Sequence, residues 1–301
     1  MAQPIPSSRT WLDPKVLAGL GTLELKARVI VEGFLQGLHR SPFRGFSVEF
    51  AEYRHYLPGD DPASIDWRVF ARSDRYYVKR FEQETNLPCH LLLDVSASMT
   101  YQSGALSKLA YGSYLAAALA YLLNRQRDAV GLLAFDSDIV AHVPPSTRPG
   151  HLRTLLVTLD RLRPGVRSDL ARPLNRLAEA LSRRGLIILI SDLLDDADRV
   201  ITGLRQVRSR GMEVLVFHVL DHAELTFPFD GPARFRDLES GREVVASAAA
   251  ARRDYLARVR ALTDRYAHDL KGAGIDYALV DTSHPLDEAL LAYLAARRRV
   301  V

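Results

Sequence analysis

Three short segments of the chain carry oxygen-bearing side chains at spacings suited to a hard metal ion. Asp94-Val95-Ser96-Ala97-Ser98 offers one carboxylate and two hydroxyls within five residues. Ser168, followed by Asp169, sits in the loop opened by Pro164-Gly165-Val166-Arg167, and Asp192 directly follows Leu186-Ile187-Ile188-Leu189-Ile190-Ser191. Mg2+ or Mn2+ takes oxygen ligands in near-octahedral geometry and retains several waters, so two carboxylates and three hydroxyls form a suitable set. Because the hydroxyls are neutral, the ion would stay under-neutralised and would accept one more anionic oxygen from outside. That makes the arrangement a docking device for a partner's Asp or Glu. Catalysis would also need a placed base or nucleophile, and none stands beside these residues, so the chain is not expected to be an enzyme. Taken singly, each segment also reads as a helix cap after a strand; their common position favours a shared site.

That position follows from the periodicity of the flanking elements. Beyond Leu87-Pro88, short apolar runs alternate with amphipathic stretches. Runs at 90–95, 129–135, 186–190, 214–219 and 277–280 read as buried strands, and 139–143 as an edge strand. Helices are expected at 106–125, 148–162, 170–183, 197–210 and 248–270, with a hairpin at 235–245 turning at Ser240-Gly241. Charge-poor strands between amphipathic helices imply a mainly parallel sheet covered on both faces. In such a sheet ligands sit beyond the carboxyl ends of the strands, where Asp94 and Asp192 fall.

Ahead of this alternation lies a stretch of different character. Residues 22–39 place Leu23, Ala27, Ile30, Phe34 and Leu38 at helical spacing, and Phe46, Val48 and Phe50 alternate with polar residues as in a half-buried strand. Pro58-Gly59-Asp60-Asp61 breaks that pattern, Asp61-Pro62 opens a short helix, and 76–81 reads as a second strand. The domains are therefore expected at 1–88, a small α+β module, and 89–301, the α/β domain.

Two resemblances sharpen this reading. Asp94-Val95-Ser96-Ala97-Ser98 with Asp192 resembles the metal-ion-dependent adhesion site of von Willebrand factor A domains, whose pattern is DxSxS, a distant Thr and a distant Asp. The resemblance implies a doubly wound α/β fold with helices on both faces. It also implies direct metal binding by Ser96 and Ser98, and direct or water-mediated binding by Asp94 and Asp192. Ser168 stands where that family has Thr, keeping the hydroxyl but losing the β-branch that fixes its rotamer. Upstream, Glu49-Phe50, Tyr53-Arg54, Tyr56, Pro58-Gly59-Asp60-Asp61, Ile65-Asp66-Trp67, Ala71-Arg72 and Val78-Lys79-Arg80-Phe81-Glu82 resemble the bacterial family called domain of unknown function 58. Its members are often linked with MoxR-type AAA+ ATPases, which implies such an ATPase as partner. The Gly-Asp-Asp segment reads equally as a turn with a helix cap and as a docking surface.

Composition narrows the alternatives. A formal charge of +4 is spread thinly, with 12 basic against 11 acidic residues in 1–88 and 28 against 25 beyond, so no basic stripe points to nucleic acid. Cys89 is the single cysteine, which suits a reducing compartment, and the first 13 residues lack the apolar core of an export signal. A cytoplasmic protein without a membrane span is expected. The competing enzymatic reading is an Mg-dependent phosphoaspartyl hydrolase with Asp94 as nucleophile and Asp192, Asp195 or Asp196 holding the ion. Ser96 argues against it, because an acid normally stands at that position. A purely structural α/β scaffold is the third reading. His218, Asp221 and His222 are poorly spaced for a second metal site, and Asp136 and Asp138 read as a strand-end turn.

Overall fold

Apolar runs without alternation are stable as strands only where both faces are covered. The computed structural model describes residues 13–40, 53–55, 77–79, 88–166, 169–170, 172–174, 176 and 184–297. Two compact units divide the chain, one of residues 1–37 with 87–301 and one of residues 38–86.

The larger unit begins with α1 (Pro14–Gly19), whose Asp13 cap accepts from the Lys15 amide, and α2 (Leu23–Arg40). In the smaller unit, β1 (Tyr53–His55) pairs antiparallel with β2 (Tyr77–Lys79), placing Arg54 opposite Val78. The Gly59-Asp60-Asp61 segment and the helix expected after it lie outside the described residues.

From β3 (Cys89–Asp94) onward strands and helices alternate: α3 (Lys108–Arg125), β4 (Val130–Phe135), β5 (Ile139–Ser146), α4 (His151–Arg161) and β6 (Leu186–Ser191), the helix expected at 170–183 lying mostly outside the described residues. Next come α5 (Ala197–Ser209), β7 (Glu213–Leu220), α6 (His222–Thr226), the hairpin β8 (Pro232–Arg236) and β9 (Glu243–Ser247), α7 (Ala248–Gly272), β10 (Asp276–Asp281) and α8 (Leu286–Arg297). Six strands form one sheet in the order β10-β7-β6-β3-β4-β5, parallel except for β5. The central strands β3 and β4 are buried at every residue. The antiparallel β5 alternates in exposure and carries Pro144 and Pro145, as an edge position permits. This is the doubly wound, mainly parallel α/β architecture expected of the chain.

Each face has its own helices. Leu92, Ile187, Leu189, Val214 and Val216 pack with Val200, Leu204 and Val207 of α5 and Tyr266 and Leu270 of α7. On the other face α3 approaches so closely that a Cβ on Gly112 would lie 3.1 Å from Leu93 Cδ1 and 3.2 Å from Ile190 Cγ2. Helices α4 and α8 flank α3. Helix α2 buries Ala27, Ile30, Val31 and Phe34, and Lys26 Nζ donates to Tyr114 Oη of α3 at 2.6 Å. The helix placed by its sequence in an N-terminal module thus lies, through Gly37, in the same unit as the sheet. At the end of α8, Arg297 pairs with Asp128 at 2.6 Å and donates to Tyr293 Oη at 2.7 Å.

Candidate metal centre

Parallel pairing of β3 with β6, Leu93 opposite Ile190, brings Asp94 and Ser191 to the same carboxyl end of the sheet. There Ser191 Oγ donates to Asp94 Oδ2 at 2.6 Å, and the Ser96 amide donates to Asp94 Oδ1 at 2.9 Å. The second contact curls the chain immediately after β3 and starts the 3-10 turn Ala97–Thr100. As a result the Ser96 and Ser98 hydroxyl oxygens lie 3.0 Å apart. Asp94, Ser96, Ser98 and Asp192 are all buried.

Asp192 is held from several sides. Its Oδ1 accepts from the Leu194 amide at 3.2 Å, and its backbone carbonyl lies 2.8 Å from His218 Nε2. The other ring nitrogen of His218 lies 2.8 Å from Tyr277 Oη, so this histidine orients the turn after β6. Burial pushes its pKa down to about 4, which keeps the ring neutral. Leu193, fully packed, takes a left-handed conformation with φ 51°, and its carbonyl accepts from Tyr266 Oη at 3.2 Å. A leucine there costs about 1 kcal/mol or more, so the surroundings impose the turn that aims Asp192.

Two residues that sequence reasoning passed over complete the cluster. Lys108, the first residue of α3, is buried and donates at 2.8 Å to Asp192 Oδ2 and at 2.8 Å to Glu224 Oε1. Burial acts to lower its pKa, but Asp192 and Glu224 together raise it, so the ammonium stays charged. A signal for it existed: Lys108 is one of five lysines and stands alone at the head of an otherwise uncharged run. Glu224 belongs to a capping box with Asp221 on α6, a D-x-x-E pattern also visible in the chain.

Asp94 registers the electrostatics. Burial, followed by the charge of Asp192, raises its pKa to about 7, against the lowering effect of the Ser191 and Ser96 hydrogen bonds. Two buried carboxylates at one sheet end, beside paired hydroxyls, are a donor set that fits a hard divalent cation. Ser168 lies outside the described residues. Of the described residues on either side of it, Gly165 donates its amide to the Val95 carbonyl at 2.6 Å and Leu170 its amide to Asp195 Oδ2 at 3.1 Å.

The remaining candidates have other partners. Asp196 caps α5 by accepting from the Arg199 amide at 3.0 Å. Asp221 caps α6 and also accepts from Ser103, while His222 pairs with Asp281 at 2.8 Å. His218, Asp221 and His222 therefore do not converge. Asp136 and Asp138 form the expected turn, the Asp138 amide donating to Asp136 Oδ1 at 3.0 Å. Among the described residues no three His, Cys, Asp or Glu side chains could together hold a metal.

Residues 52–265 match the family described as "Protein of unknown function DUF58". The chain belongs to the DUF58 family. Similar relatives of this DUF58 chain include the uncharacterized protein Rv1480 of Mycobacterium tuberculosis strain H37Rv, 32% identical over 291 residues. That alignment covers 95% of this chain and 91% of the relative. The uncharacterized protein Mb1516 of Mycobacterium bovis is also 32% identical, with the same coverage. Among solved structures, the conserved hypothetical protein BatB from Bacteroides thetaiotaomicron aligns with TM-score 0.47 and 17% identity, covering 70% of this chain and 99% of that one. The SpRpn10 VWA domain aligns with TM-score 0.38 and 11% identity, covering 68% and 93%. No helix among the described residues of the DUF58 chain is long and apolar enough to cross a membrane.

Proposed function

We propose that this DUF58 protein is a divalent-metal-dependent binding protein, an adaptor or chaperone-like component that recognises an acidic residue of a protein partner. The observation that carries the reading is the clustering of Asp94, Ser96, Ser98 and Asp192 at one buried sheet end, with two hydroxyl oxygens 3.0 Å apart. In this reading Ser96 and Ser98 hold Mg2+ or Mn2+ directly, Asp94 and Asp192 hold it directly or through water, and Ser168 adds a further hydroxyl. Bound there, the ion would supply an electrophilic position for a carboxylate from outside. The chain's own part is to fix the hydroxyls by the turn after β3, to aim Asp192 by the turn after β6, and to keep bulk water from the carboxylates.

The partner we propose is a MoxR-type AAA+ ATPase, and the location the cytoplasm, where the buried Cys89 would stay a thiol. Hydrolysis through Asp94 is disfavoured by the partners of the carboxylates that would serve it. Asp195 and Asp196 are used in anchoring the Leu170 amide and capping α5.

The test is binding of the purified chain to the candidate ATPase with Mg2+ and with chelator, for the parent and for Asp94→Ala. Loss of the complex in chelator and in the variant is expected, because the contact is charge-assisted. Binding of unchanged strength in chelator would place the partner elsewhere. Metal-dependent phosphatase turnover lost in Asp94→Asn would replace the binding reading by the enzymatic one.

A further inference from the structure

A fully buried lysine beside a candidate cation site is a second cation already in place. Lys108 Nζ lies 2.8 Å from Asp192 Oδ2, and neither side chain is exposed at all. The other oxygen of Asp192 takes the Leu194 amide, so both oxygens of this carboxylate are committed. Lys108 cannot swing aside as a surface lysine would, because it is packed along its length at the first turn of α3, directly behind the Ser107 cap. Glu224 steadies it from the far side: Oε1 accepts from the ammonium, and Oε2 accepts from the Asp221 amide at 2.8 Å.

We propose that Lys108 is a tethered cation that competes with the divalent ion for Asp192, and so sets the metal affinity of the site. The proposal rests on the metal-binding reading above. In a low-dielectric interior two like charges sharing one carboxylate repel strongly, so the ammonium must weaken any ion that uses Asp192. Glu224 moderates this by drawing the ammonium away from Asp192. Lys108 therefore acts as a positioning residue whose effect on affinity has a definite sign. An ion pair that merely joined α3, β6 and α6 would have the opposite sign, since its loss would loosen Asp192 and weaken the metal.

The experiment is calorimetric titration of Mn2+ into the chelator-treated full chain, as parent, as Glu224→Gln, and as the double variant Glu224→Gln/Lys108→Met. Gln keeps the acceptor for the Asp221 amide, and the double variant avoids leaving Asp192 and Glu224 together without a counter-ion. Glu224→Gln is expected to weaken Mn2+ binding, because the ammonium then rests on Asp192 alone. Adding Lys108→Met is expected to reverse that loss, tightening Mn2+ about tenfold relative to Glu224→Gln. The Mn2+-induced rise in unfolding temperature should be larger in the double variant, in step with the affinity. A double variant that binds no more tightly than Glu224→Gln overturns the proposal, as does the absence of binding in all three proteins. Binding by the double variant alone would uphold the role of Lys108 while refuting metal binding by the parent.

Discussion

Asp94 pays for its place at the sheet end with stability. Its carboxyl pKa is raised to about 7 by burial and by Asp192, whereas an unfolded aspartate ionises near its ordinary value of 3.8. For a carboxyl group raised in the folded state, its contribution is most favourable below pH ~4 and is lost as pH rises through ~7. Metal-free protein should therefore lose up to a few kcal/mol across that window. Asp94→Asn, which cannot ionise, is expected to unfold at higher temperature than the parent at pH 8 in chelator, with the gap closing toward pH 4. Thermal melts across that range check this, and a constant gap would show that the charge is not the cause. The hydroxyls should rank differently: Ser98→Ala is expected to cost more Mn2+ affinity than Ser168→Ala in calorimetric titration. Ser98 is held against Ser96 by a defined turn, and the serine at 168 lacks the β-branch that would fix its hydroxyl.

Among the elements, α3 does most to shape the site. Its N-terminus carries Lys108 to Asp192, and its Gly112 allows the helix axis close to β3 and β6. Gly112→Val should drive side-chain atoms into Leu93 and Ile190 and lower the unfolding free energy by about 1–3 kcal/mol in urea titration. A neutral result would mean that the helix can back away from the sheet without cost. Helix α3 was legible as an apolar stretch between Ser107 and Arg125, whereas its hold on Asp192 was not, because the two residues are 84 positions apart. The turn after β6 was hidden for a related reason, since nothing local predicts a leucine at φ 51°.

At the scale of the whole chain, α2 belongs with the sheet. Phe34 is buried at 3% exposure, so Phe34→Ala should cost about 3–5 kcal/mol of the stability of the larger unit. Urea unfolding followed by circular dichroism would show it, and a change within error would assign the helix to the 38–86 unit instead. By itself the sequence determined the strand and helix alternation, the α/β class, and the loops in which Asp94, Ser96, Ser98 and Asp192 sit. Each of these follows from burial patterns and strand ends only a few residues long. Tertiary structure alone decided that Lys108 and Glu224 stand against Asp192, that His218 grips its carbonyl, and that α2 docks on α3. Such pairings arise when the sheet closes and removes charged groups from water, and each must then find whatever partner the packing has brought within reach.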